Sequence, residues 1–353
     1  MDGFSQRWKD FPDYILGITK EIWEERGLHT LHECYAEDLP MRFPSGMLRG
    51  RRAVIDGTRA TLVEFPDRQL LGEDVIWSED ATGHLLSSHR LMTTGTHLGH
   101  GFFGPPTGKR FEVRAIADCA ARANYIDDEW LCRDTSGIVR QLGMEPLAFA
   151  RDLIAREGGA ERAVRPFHPR DDVEGPYRGT GNDDDWGRDY ADILTRMMDG
   201  DELSLVAQRY DRACRTEFPG ARGGWSWPFA EQMWMGLRAA FPSARFSIDH
   251  RIGREDPMRP PRAAVRWSLT GTHDGRGMFG EPTGAEVHVM GFTHAEFGPW
   301  GLRREYTVYD EISIWKQILL HAGAVDDAPA PVAPGMGALG GGEAGAETGM
   351  SYG

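Results

Sequence analysis

Aspartate and histidine recur at matched places in the two halves of this 353-residue chain. Asp134 follows Glu129-Trp130 and Asp310 follows Glu305-Tyr306, each at the end of a segment that reads as a strand. Side chains alternate along a strand, so Trp130, Cys132 and Asp134 share one face, as do Tyr306, Val308 and Asp310. That face is the more apolar in both copies and is expected to point inward. A carboxylate against apolar walls is disfavoured in its charged form, which raises its pKa toward that of a useful general acid or base. The competing reading is an aspartate that caps a turn or pairs with an arginine at the strand end. His97 and His273 each close a Thr-Gly-Thr-His run, and His89 lies on the same strand face as His97. An imidazole there is a second acid/base group, a group that polarises a carbonyl, or a histidine bonded to backbone at a strand end. Asp134, His97, Asp310 and His273 are therefore the candidate catalytic residues. Trp130, His89 and Tyr306 are the candidate substrate contacts.

The matching is not confined to these residues. Thr94-Gly95-Thr96-His97, Phe103-Gly104, Glu129, Asp134 and Gln141 each recur at a constant offset (270 − 94 and 310 − 134 both give 176). A period this long describes whole domains, not the short units of a solenoid. Helical spacing of Phe11, Tyr14, Ile15, Ile18 and Ile22 predicts an amphipathic helix over 11–26, with a short second helix through Leu31 and a third over 51–64. Strands are predicted over 41–44, 68–78, 83–97, 109–122 and 124–140. The second half repeats the order, with helices from Trp186, Leu203 and Phe229 and strands near 244–254, 262–273, 285–297 and 300–316. The fold class is α+β: two tandem domains, each with about three helices packed on a curved antiparallel sheet. The expected boundaries are 8–145 for the first domain, 146–183 for a linker, 184–322 for the second domain and 323–353 for a disordered tail rich in Ala and Gly.

Composition excludes several function classes. A formal charge of −14 argues against a nucleic-acid groove and gives no reason for binding to an anionic membrane. No long apolar run is present to span a membrane, and Met1 to Asp10 lacks the apolar centre of a signal peptide. Cys34, Cys119, Cys132 and Cys214 are scattered, which predicts free thiols in a reducing cytoplasm and no zinc site. Gly104-Pro105-Pro106-Thr107-Gly108 is a rigid turn, not a phosphate loop, because no Gly-Lys-Ser/Thr leads into a helix.

These residues resemble the SnoaL-like polyketide cyclase (ester cyclase) family of the nuclear transport factor 2-like superfamily. Gly95-Thr96-His97, Gly104-Pro105-Pro106-Thr107-Gly108-Lys109, Glu129, Trp130, Asp134 and Gln141-Leu142-Gly143 carry the resemblance. The second half departs from it at Glu281, Ala285, Tyr306 and Ile318. The resemblance implies a cone-shaped fold with an interior pocket and an aldol-type closure without metal or cofactor. It places the general acid/base on Asp134 and, by internal correspondence, on Asp310. It also implies a small-molecule partner and an intrachain pseudo-dimer, with further homo-oligomerisation open. The function expected is cyclisation, isomerisation or dehydration of a small carbonyl compound. The alternative is a protein that holds a small molecule in tandem pockets without turning it over.

Overall fold

Asp10 starts the first helix by accepting the Asp13 amide, and the apolar stripe behind it becomes α1 (Phe11–Trp23), buried through Phe11, Tyr14, Ile15, Ile18 and Ile22. The computed structural model describes residues 1–322; the tail expected beyond them lies outside the described residues. After α1 come α2 (Thr30–Cys34), β1 (Pro40–Phe43), β2 (Gly46–Arg49) and α3 (Arg51–Glu64). Then β3 (Gln69–Glu79), β4 (Leu85–Thr96), β5 (Arg110–Arg122) and β6 (Tyr125–Arg133) complete a six-stranded sheet in the order β2-β1-β6-β5-β4-β3. The helices α4 (Thr135–Gln141) and α5 (Pro146–Arg156) follow it.

The second half is built alike from α6 (Asp185–Met198), α7 (Ser204–Arg209), β7 (Tyr210–Phe218), β8 (Arg222–Trp225) and α8 (Trp227–Ala240). Strands β9 (Arg245–Arg254), β10 (Arg262–Thr272), β11 (Glu286–Gly298) and β12 (Gly301–Tyr309) precede α9 (Glu311–Ala322). Its sheet order, β8-β7-β12-β11-β10-β9, repeats the first. Register shifts between Gly72 and Asp74 and between Ala120 and Ala121 curl the first sheet, and the second is shifted in the same manner at Arg266/Trp267 and Glu296/Phe297. Gly104 and Gly108 take positive φ (94° and 70°) in the proline turn, and Gly280 and Gly284 do the same in the second copy.

Three expectations change. Each sheet is larger than four antiparallel strands, because a short hairpin adds an edge and pairs β1 with β6, and β7 with β12, in parallel. The strand expected over 124–140 stops at Arg133, and the one expected over 300–316 stops at Tyr309. In both places an aspartate accepts the next helix's first amides and so turns the chain out of the sheet. Residues 146–183 also contain a regular element, α5, which packs against α9 and buries Leu147, Phe149, Leu153 and Ile154.

The two sheets face each other within the chain. Ile116, Cys132, Met290, Phe292 and Val308 form an apolar layer between them, with Phe167 of the connecting segment and Trp130 at its margin. Polar bonds cross the layer: Arg266 to Asp118 at 2.9 Å and Ser88 to His294 at 2.9 Å. Among the described residues no helix is long and apolar enough to cross a membrane.

Candidate functional site

Strand β6 decides where the chemistry sits, because its two faces meet different surroundings. Trp130 and Cys132 point to the layer between the sheets. Glu129, Leu131 and Arg133 point the other way, into a cavity of about 410 Å³ under α1 and α3. The apolar face of the strand is therefore not the inward one. Both faces are covered, one by the second domain, so apolar character alone did not distinguish them. His89 of β4 pairs in register with Ala117, which pairs with Leu131, and so it lies on the cavity face as well.

Among the described residues Glu129 is the single carboxylate lining the cavity, and it is 3% exposed. Burial pushes its carboxyl up to about 7, against the opposing pull of the Cys119 thiol, Arg133 and the Tyr35 hydroxyl. Its Oε2 has no hydrogen-bond partner among the described residues. Burial also pushes His89 down to about 4, so this imidazole is neutral at physiological pH; its Nδ1 lies 3.2 Å from Ser87 Oγ. Arg68 reaches the cavity from the turn after α3, stacked over Trp23, Phe65 and Phe111 with ring-centroid distances of 5.3, 5.8 and 6.0 Å. Arg133 lies 6.0 Å from the Phe43 ring centre. The site thus combines a carboxyl that titrates near neutrality, a neutral imidazole, a phenol and two guanidinium groups. Phe102 and Val164 line the cavity while staying exposed, which marks its mouth. Among the described residues no group of three or more His, Cys, Asp and Glu side chains is arranged to hold a metal ion.

The other candidates occupy different places. Asp134 caps α4: its Oδ1 accepts from Gly137 N (2.8 Å), Ser136 Oγ (3.0 Å) and Gly220 N (2.7 Å), and its Oδ2 from Ala221 N (2.8 Å). Gly220 and Ala221 belong to the second half, so this carboxylate fastens the halves together beside a small polar cleft rather than facing the cavity. Asp310 accepts from Ile312 N at 2.9 Å and Ser313 Oγ at 2.7 Å, and burial raises it to about 6. His97 is fully buried; its Nδ1 meets Thr107 Oγ1 at 3.2 Å. Its Nε2 is 3.4 Å from Glu64 Oε1, within ion-pair range but too poorly aligned for a hydrogen bond. His273 repeats the contact with Thr283 Oγ1 at 3.0 Å. Both histidines pin the proline turn. Trp130 lies between Arg42 and Arg266, and Tyr306 beneath Arg90 and Arg114, so each aromatic ring is stacked by an arginine at the junction of the halves.

The second cone keeps the glutamate and fills the space around it. Glu305 is raised to about 7 by burial, as Glu129 is, but its Oε1 accepts from Tyr190 and Tyr210 hydroxyls, both at 2.8 Å, and lies 3.3 Å from Trp234 Nε1. The offset of 176 (234 − 58 and 267 − 91) sets Trp234 against Thr58 and Trp267 against Leu91. It also replaces His89 by Val265, Arg133 by Tyr309 and Arg68 by Ala244. Trp234 and Trp267 pack 5.7 Å apart, and Trp267 and Tyr309 6.1 Å apart, by ring centroids. Gly291 has no side chain to offer there, since a Cβ would lie 2.1 Å from Trp267.

Sequence reasoning passed over Glu129, Arg133, Arg68 and Tyr35. One signal was available: two charged residues, Glu129 and Arg133, alternate with Trp130 and Cys132 along one strand, and only the glutamate survives in the second copy.

Residues 14–142, within the first half of the chain, match the model of the SnoaL-like polyketide cyclases. Solved structures similar to it include IdmH from Streptomyces antibioticus, with 26% identity over 38% of this chain and 98% of that one, TM-score 0.33. TsrD from Streptomyces laurentii is 20% identical over 38% of this chain and 98% of its own, TM-score 0.32. A SnoaL-like protein of Jannaschia sp. CCS1 is 15% identical over 39% and 96%, TM-score 0.33. No curated protein matches the chain.

Proposed function

We propose that the first cone is a cofactor-independent proton-transfer enzyme that cyclises, isomerises or dehydrates a small, polyketide-like carbonyl compound, with Glu129 as general acid/base. The observation that carries this reading is a buried carboxyl, with one oxygen free of any partner among the described residues, facing a cavity of about 410 Å³. A carboxyl titrating near 7 is poised both to take and to return a proton at physiological pH. As the carboxylate it removes a proton next to the substrate carbonyl. The resulting enolate oxygen is held by the neutral His89 and the Tyr35 hydroxyl. The enolate then attacks a second carbonyl of the same molecule, whose alkoxide takes the proton from the Glu129 carboxylic acid; or it takes that proton at a different carbon; or it expels a β-hydroxyl, which leaves as water with that proton. The family description, polyketide cyclase, supports the substrate class. A cytoplasmic setting agrees with four free, buried cysteines. The second cone, its glutamate enclosed by tyrosines and tryptophan, serves as a packing partner.

The test is deuterium uptake, followed by NMR, from D₂O into a panel of β-keto esters and cyclic enones, using the full chain. Glu129→Gln should slow exchange by about 100-fold or more, the usual weight of a general acid/base, while Asp134→Asn and Glu305→Gln should not. Wild-type exchange no faster than that of Glu129→Gln on every compound would overturn the reading in favour of a protein that binds its ligand unchanged.

A further inference from the structure

We infer that the molecule bound in the first cone carries a carboxylate, and that Arg68 and Arg133 are the residues that receive it. The inference rests on the reading of this cavity as the substrate site. Arg68 is 2% exposed, yet its Nε and Nη2 have no hydrogen-bond partner among the described residues. Within the same set, neither Arg68 nor Arg133 forms an ion pair with a carboxylate. Glu64 acts on Arg68 only through its field, since its Oε1 accepts the Phe103 amide at 2.7 Å. Arg133 repels Arg68. A guanidinium keeps its charge in a protein, so two of them share this apolar cavity with one carboxyl that resists ionisation. Leaving buried donors unpaired is costly unless a ligand completes them.

The second cone supplies an internal control. If the arginines served only to balance the buried glutamate, the copy that keeps the glutamate would keep them. It has Ala244 and Tyr309 instead, and satisfies Glu305 with neutral hydroxyls. Both cations are thus present only where the cavity is open. The planar fork of Arg68, braced on three aromatic rings, matches the two oxygens of a carboxylate. The expected substrate is therefore a carbonyl compound that also carries a carboxylate.

The experiment titrates the full chain by calorimetry with 2-naphthoate and with its neutral counterpart, 2-naphthamide. The acid should bind about tenfold to 100-fold more tightly, as expected for one or two charge-assisted hydrogen bonds in a dry site. Arg68→Gln should erase the preference while leaving amide affinity in place, which also shows that the variant is folded. Arg68→Lys should restore part of it. Thr58→Trp, which builds the second cone's plug into the first, should abolish binding of both. The inference is overturned if acid and amide bind alike or neither binds at millimolar concentration. It is equally overturned if the preference survives Arg68→Gln, or survives Thr58→Trp and so belongs to another site. Loss of proton exchange on Glu129→Gln with the acid preference intact separates the two ideas, because the anion site does not need the base.

Discussion

Replacing Glu129 by glutamine should make the protein more stable at alkaline pH while disabling it. Burial moves this carboxyl from its ordinary 4.5 to about 7. Below pH 4.5 the folded and unfolded chains both hold the proton, and the group has no effect on stability. As pH rises from 4.5 the unfolded chain loses its proton first, while the folded chain keeps its own until about 7. Stability therefore falls through this window, and the penalty is complete above it. The rise from 4.5 to about 7 amounts to about 3 kcal/mol, most of which develops between pH 5 and pH 8. Glutamine has no proton to lose. Urea unfolding of wild type and Glu129→Gln at pH 5 and pH 8 isolates the term, since titrating groups that do not interact with Glu129 cancel in the difference. The variant should gain roughly 2–3 kcal/mol relative to wild type on going from pH 5 to pH 8. Glu305→Gln should show a change of the same sign, because Glu305 is raised to about 7 by the same cause. Only Glu129→Gln should abolish exchange. A stability difference that is the same at pH 5 and pH 8 would refute the claim that Glu129 is held protonated by burial.

The other predictions use the same variants and assays. If Glu129 acts first as the base, kcat/KM should rise with pH through about 7, following its ionisation, and flatten above. Asp134→Ala should destabilise the chain by about 1–3 kcal/mol through loss of the α4 cap and of the bonds to Gly220 and Ala221, with exchange rates kept near wild type; a melting curve and the NMR assay together check this. Trp267→Leu should open space in the second cone at a cost of about 3–5 kcal/mol, and its crystal structure should show the new void beside Gly291. Arg266→Met removes both the stacking on Trp130 and the bond to Asp118, leaving that buried carboxylate unpaired. Limited proteolysis should then reach the connecting segment 157–184 faster than in wild type.

The long helices and strands were legible in the sequence because periodicity and breakers agree: Phe65-Pro66 ends α3, and the apolar stripe of α1 has helical spacing; the helices α4, α5 and α9 and the edge hairpins were not. The constant offset of matched residues was enough by itself to reveal the duplication. What the sequence hid was which side of a strand is the inside. A lone cone would put its apolar side chains inward, but here Trp130 and Cys132 are apolar because a second sheet covers them. Asp134 carried an equally ambiguous signal. An aspartate at a strand end is both a plausible acid and a good helix cap, and the four donors around it resolve the matter toward the cap. Arg68 lies in a turn and carries no periodicity at all; only the fold brings it over Trp23 and Phe111.

Joining two cones in one polypeptide removes a constraint that identical subunits cannot escape. In an assembly of two identical chains every substitution appears twice, so a tryptophan that seals one cavity seals both, and activity is lost with it. Here Trp234 and Trp267 occur once, in one copy, and the open cavity opposite is untouched. The link also makes the pairing of the sheets independent of protein concentration, so dilution cannot bare the apolar face behind Trp130. One copy is filled by its tryptophans, and the other keeps a cavity.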